Sequence, residues 1–168
     1  MTLIQRYEIK GINPEPWAIG PVTGYGKAGG RKVAPNPKVV NYERAVREAL
    51  EQMGAGMNLD TLWPKDVTFY YVRSTADGGQ PADVTNLNKA TEDACQGILY
   101  GNDRNNRRVM GDILEQGPDV KHPGIIVVVQ DYWIDPTIKE QLIESLVSDT
   151  PVAFAGSDYT IPEDDPFE

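Results

Sequence analysis

Residues 125–129 read IIVVV within the longer stretch GIIVVVQDYW (124–133). All five are β-branched, stiff at χ1 and suited to a pleated strand. An apolar run without polar alternation predicts a strand buried on both faces. Such a strand needs neighbours and cover, and the rest of the chain offers them. LIQRYEIKGI (3–12) alternates and reads as a first strand, DVTFYYVRS (66–74) as a second, and RRVMGDILEQ (107–116) as a third. NPKVVNYERAVREALEQM (36–53) sets Val39, Tyr42, Val46, Ala49, Leu50 and Met53 on one helical face, with Asn36 and Pro37 at the cap and first-turn positions. A second helix over 84–98 turns Leu87, Ala90, Ala94 and Ile98 inward and is closed by Gly97 or Gly101. DPTIKEQLIESLVS (135–148) reads as a third helix behind Asp135 and Pro136. The order is β-α-β-α-β-β with a C-terminal helix, which predicts an α+β fold with a mixed sheet. The expected organisation is one domain over 1–134, then the helix and an acidic tail over 135–168.

Residues 11–37 hold six glycines and five prolines and show no helix or strand signal. Loops this long in compact domains are usually functional or disordered. This one carries Lys27, Arg31 and Lys32 together with Trp17 and Tyr25, a mixture suited to lying along phosphates and stacking on bases. A second basic cluster is Arg104, Arg107 and Arg108. The net charge of −9 does not exclude a nucleic-acid partner, because it belongs to the tail. Residues 131–168 contain ten acids against Lys139 alone, and the fifteen acids and fifteen bases before them cancel. Salt screens charges beyond about 8 Å, so local patches outweigh the sum. The tail itself could mimic DNA and occupy a basic groove. One cysteine, Cys95, and one histidine, His122, exclude a disulfide framework and a thiolate zinc site; any metal is held by oxygen. No apolar run is long enough to span a bilayer, and the N-terminus lacks the apolar core of a signal peptide. The expectation is a soluble, cytoplasmic protein with no membrane partner.

The stretch PADVTNLNKATEDACQGILYGNDRNN (81–106) places a carboxylate before a helix, Asp83, another after it, Asp103, and a lysine between them, Lys89. Each residue has an ordinary structural role open to it. Asp83 can cap the helix, Asn102-Asp103 can form a turn, and Lys89 can pair with Asp93 four residues on. Taken together they match phosphodiester hydrolysis. A hard divalent cation held by one or two carboxylates polarises the phosphoryl oxygen, and an ammonium group stabilises the added charge. Distance separates the two readings. A helix of fifteen residues is about 22 Å long, so Asp103 must return along it or meet Asp83 of a second subunit. Cys95, without a basic neighbour in sequence, and His122, before a proline, are read as incidental.

The same stretch resembles the signature of the RusA-type Holliday junction resolvases, a family common in bacteriophages and prophages. Asp83, Asn86, Leu87 and Lys89 match its Asp-x-Asp-Asn-Leu-x-Lys motif, Asp93-Ala94 its helical Asp-Ala, Gly97 and Tyr100 its turn, and Asp103 the second of its paired aspartates. The likeness extends over residues 1–130. It implies a RusA-like fold, a homodimer, dependence on Mg²⁺ (with Mn²⁺ as a substitute), and symmetric nicking of four-way or other branched DNA in a bacterial host cytoplasm. It implies Asp83, Asp103 and Lys89 as catalytic residues, Asp83, Asp103, Thr85 and Asn102 as metal ligands, and Lys27, Arg31, Lys32, Asn86, Arg104, Arg107 and Arg108 as DNA contacts. The chain departs from the pattern at two positions, since Thr85 and Asn102 stand where the family has acids. The site then works with neutral oxygens, recruits Asp77, Glu92 or Asp93, or binds junctions without cutting them.

Overall fold

The computed structural model describes residues 4–20, 22–25, 31–57 and 59–147. The chain divides into two units, Met1–Tyr132 and Trp133–Glu168. The first is built on a four-stranded mixed sheet in the order β1-β6-β4-β5, formed by β1 (Ile4–Lys10), β4 (Lys65–Ser74), β5 (Asn106–Gly117) and β6 (Gly124–Asp131). β6 pairs antiparallel with β1 and with β4, whereas β4 and β5 run parallel. Parallel neighbours need a crossover, and α2 (Val84–Cys95) supplies it. α1 (Pro37–Gln52) packs beside α2, with Asn36 as its N-cap and Pro37 in its first turn. The fold is thus α+β in the anticipated order.

The core lies between the sheet and the two helices. Ile9, Val67, Phe69, Tyr71, Ile125, Val127 and Val129 meet Val46, Leu50, Leu87 and Ala94 there, all essentially without exposure. Three local expectations change. The apolar run of β6 is not buried on both faces: Ile125, Val127 and Val129 are buried, but Ile126 and Val128 are only half-covered. Both helices lie on one side, and nothing among the described residues of this unit covers the other as fully. The loop over 11–37 contains a two-stranded ribbon, β2 (Val22–Tyr25) with β3 (Arg31–Val33). Strands of four and three residues are too short to show an alternating pattern, so the sequence gives no sign of the pairing. α2 ends at Cys95, three residues early, because Gly97 takes a left-handed φ of +84° and its N–H turns to the carbonyl of Tyr100 at 2.7 Å.

Three polar anchors set α2 on the sheet. The buried hydroxyl of Thr91 meets those of Tyr42 at 2.7 Å and Tyr71 at 3.1 Å, and donates to the Leu87 carbonyl at 2.9 Å. Tyr71 also donates to Asn88 Oδ1 at 3.0 Å. Arg47 of α1 donates to the carbonyls of Gln96 and Asp93, which the helix end leaves without intrahelical partners. Beneath α2 lies Gly111 of β5, where a Cβ would come within 2.2 Å of Asn88 Oδ1 and 2.6 Å of a Val84 methyl. Only glycine permits that approach.

In the second unit, α3 (Pro136–Val147) begins as anticipated, with the Asp135 carboxylate accepting from Thr137 N at 2.8 Å. The acidic tail beyond it, including the DNA-mimic reading, lies outside the described residues.

Candidate functional site

Asp83 is the N-cap of α2. Its Oδ1 accepts from Asn86 N at 2.9 Å and its Oδ2 from Asn86 Nδ2 at 2.8 Å. The approach to this cap is fixed from two sides. Gln116 of β5 brackets Ala82, accepting from its N–H at 2.9 Å and donating to its carbonyl at 3.4 Å. Buried Arg73 of β4 donates to Pro14 O, Gln80 O and Gln116 Oε1, joining the long loop to the segment before α2. Trp17 N donates to Asn86 O at 2.9 Å, so the same loop touches the helix start. Thr85 is exposed in the first turn.

The other end of α2 carries the second group. Asn102 caps a 3₁₀ turn, Asp103–Asn105, and accepts from Arg104 N at 2.9 Å. Asn106 opens β5, with Nδ2 donating to Glu92 Oε1 at 3.1 Å, while its Oδ1 is buried with no partner among the described residues. Burial raises the pKa of Glu92; the bond from Asn106 opposes this and the charge of Asp103 adds to it. The backbone N–H of Asn106 also donates to the Asp103 carbonyl, so Asn106 links Glu92 to the Asp103 turn. Lys89 lies midway along the helix, half-exposed, 3.5 Å from Asp93.

Asp83 and Thr85 thus stand at one end of α2, and Asn102 and Asp103 beyond the other. The nine residues from Asp83 to Glu92 span about 14 Å at 1.5 Å each. Two ligands of one Mg²⁺ lie about 2 Å from it, so Asp83 and Glu92 of one subunit do not share an ion, and Asn106 ties the Asp103 turn to Glu92, at the far end of α2 from Asp83. Among the described residues no three His, Cys, Asp or Glu side chains gather where they could hold a metal. Of the acids considered as substitutes, Asp77 is bonded to Gly79 N, which lowers its pKa, and pairs with Lys38 at 3.6 Å. Asp93 is engaged with Lys89. Glu92 is the acid beside Asp103. Its eleven-residue separation from Asp103 conceals that proximity in sequence, and only the reversal of the chain after α2 reveals it.

The basic residues are dispersed. Arg104 and Arg107 are exposed near Asp103. The register of β5 skips Arg107 between Asn106 and Arg108, a bulge of the kind that re-aims a side chain. Arg108 is tied to Asp66 at 3.0 Å, and its guanidinium carbon lies 5.9 Å from the Tyr132 ring centre. Arg31 and Lys32 fall in β3, and their side chains, like all of Lys27, lie outside the described residues. Cys95 is fully buried, with its thiol pushed up to about 12 by burial, so it is no nucleophile. His122 is exposed on the connection between β5 and β6.

A family model described as Endodeoxyribonuclease RusA matches residues 21–130, 110 of the 168 residues. The match spans α1, α2, the turn at Asp103 and all strands but β1 and the last residue of β6. No curated protein matches the chain. No helix among the described residues is long and apolar enough to cross a membrane.

Proposed function

Given that the chain belongs to the family of RusA endodeoxyribonucleases, we propose that it is a divalent-metal-dependent nuclease that nicks Holliday junctions or related branched DNA symmetrically, as a homodimer whose two active sites each draw on both subunits. The observation that carries the composite site is the separation of Asp83 from Asp103 by the length of α2. A two-fold axis beside the middle of α2 sets the helices antiparallel. The Asp83 end of one subunit then lies next to the Asp103 end of the other.

Asp83 and Thr85 of one protomer, with Asn102 and Asp103 of its partner, are the oxygen donors in this reading, and Glu92 is a further carboxylate beside Asp103. An all-oxygen set fits Mg²⁺ or Mn²⁺. Such an ion, when bound, lowers the pKa of its water and polarises the phosphoryl oxygen. The bonds from Asn86 hold the Asp83 carboxylate in place and leave each oxygen a free lone pair. Lys89, positioned by Asp93, offers its ammonium to the charge that develops on the phosphoryl group. Arg104 and Arg107 hold phosphates without reading sequence. Arg108, engaged by Asp66, is the least free of the basic contacts.

The test is complementation between two inactive variants. Asp83→Asn and Asp103→Asn each abolish nicking of a synthetic four-way junction. Mixed and allowed to exchange subunits, they form heterodimers in which one site regains both aspartates, and about a quarter of wild-type nicking returns. If each site belonged to one chain, the mixture would remain inactive. The second reading, a junction-binding protein that does not cut, is favoured by the neutral Thr85 and Asn102. Junction binding without nicking by the wild type in either Mg²⁺ or Mn²⁺ selects it.

A further inference from the structure

We propose that the dimer forms through the free edge of β5, which pairs antiparallel with β5 of a second copy about a two-fold axis at Met110. The inference rests on the composite-site reading and names the surface that builds it. β5 ends the sheet, and among the described residues its backbone pairs along its length with β4 alone. A strand edge of twelve residues with open N–H and C=O groups is a template for another strand unless something guards it. Two bulges, at Arg107 and near Leu114, bracket a regular run over residues 108–113.

The charges along that run favour self-pairing. Arg108 stands near its start and Asp112 near its end, both exposed. An edge guarded against its own kind carries like charges that meet on pairing. Here antiparallel pairing about Met110 sets Arg108 against Asp112 of the partner subunit, and symmetry repeats the pair. Opposite charges directly across antiparallel strands are favourable. Within the subunit Arg108 pairs with Asp66 at 3.0 Å, and with half its side chain exposed it can take a second acid. Asp112 has no ion-pair partner among the described residues.

The position of α2 ties this edge to the site. α2 lies directly over β5, with Val84 and Asn88 above Gly111, next to the proposed axis. Continuing the sheet through β5 brings the two α2 helices side by side and antiparallel, which the composite site requires. The rival surface is the half-covered sheet face bearing Tyr70, Ile126 and Val128. Pairing through that face would put the two α2 helices on opposite outer surfaces, where Asp83 of one subunit could not approach Asp103 of the other.

The test uses the full chain with single cysteines added; Cys95 is buried and does not compete. At the axis, Met110→Cys meets its own symmetry mate at a Cα separation of about 4.5–5.5 Å, within disulfide range. Mild oxidation is expected to give a covalent dimer with Met110→Cys and none with Val128→Cys. Asp112→Arg is expected to weaken dimerisation at least about tenfold in sedimentation equilibrium, with circular dichroism unchanged, because each symmetric pair becomes a repulsion. Cross-linking by Val128→Cys but not Met110→Cys would overturn the proposal in favour of the sheet face. An undiminished dimer with Asp112→Arg, without cross-linking at Met110→Cys, would overturn the edge while leaving any recovered nicking by mixed variants intact. A chain monomeric at every concentration would remove both the edge and the composite site.

Discussion

In the proposed site Asp83 is a helix cap and a metal ligand at once. A cap wants its oxygens turned toward backbone N–H groups, and a ligand wants them turned to solvent. Asn86 reconciles the two by donating from both backbone and side chain, leaving the outer lone pairs free. Thr85 and Asn102 leave the proposed site short of negative charge. Thr85→Asp is therefore expected to lower the Mg²⁺ concentration for half-maximal nicking by about tenfold, since ligand charge tunes affinity; a metal titration of the nicking rate checks it. Glu92 makes a different prediction. Its pKa in the folded protein is raised above the ordinary 4.5, mainly by burial. The folded state therefore holds that proton more tightly than the unfolded chain does. This contribution to stability is fully present below the ordinary value and is lost as pH rises through the raised one. Glu92→Gln removes it. Denaturation of both proteins at several pH values should show wild type losing stability relative to the variant as pH increases from 4 toward neutrality.

At the scale of elements, α2 carries Thr85, Asn86 and Lys89 of the proposed site behind its Asp83 cap, and its position is set by features with little periodicity. Thr91 serves Tyr42 and Tyr71 together. Thr91→Val leaves buried hydroxyls short of partners and is expected to cost about 1–3 kcal/mol in urea denaturation. Gly111→Ala would press a methyl group into Asn88 and Val84 and is expected to cost a similar amount, about 1–3 kcal/mol. Both shift the helix that bears Lys89, so nicking should fall along with stability. α2 itself was legible in the sequence from Leu87, Ala90 and Ala94, as was its start at Asp83. Gly97 was one of two glycines the sequence offered as its close, but apolar spacing that continues to Ile98 carries the expected bound past the left-handed turn. The β2–β3 ribbon was hidden because its strands, four and three residues long, are too short to display an alternating pattern.

For the whole molecule, net charge is a poor guide to its partner. The sum of −9 arises beyond residue 130, and the bases near Asp103 lie within the matched family region. Junction binding is expected to weaken steeply with salt, as phosphate contacts release counterions. Arg104→Ala should reduce the slope of log affinity against log salt by about 1 unit. Arg108→Ala should change it less, because Asp66 already engages that side chain. Binding curves at several salt concentrations separate the two.

The sequence alone determined the order of the elements apart from the β2–β3 ribbon, the core faces of both central helices apart from Met53, which is exposed, the caps at Asn36 and Asp83 and the family likeness. These depend on spacing of a few residues, which one chain displays directly. Only the tertiary structure decided that the outer face of β6 lies half-open and that the chain, turning back after α2, sets the Asp103 turn beside Glu92. The physical reason is that a helix is rigid along its axis. Residues joined by one motif in sequence are held apart by about 1.5 Å for every residue between them, and nothing in the order of the letters states where the chain turns back.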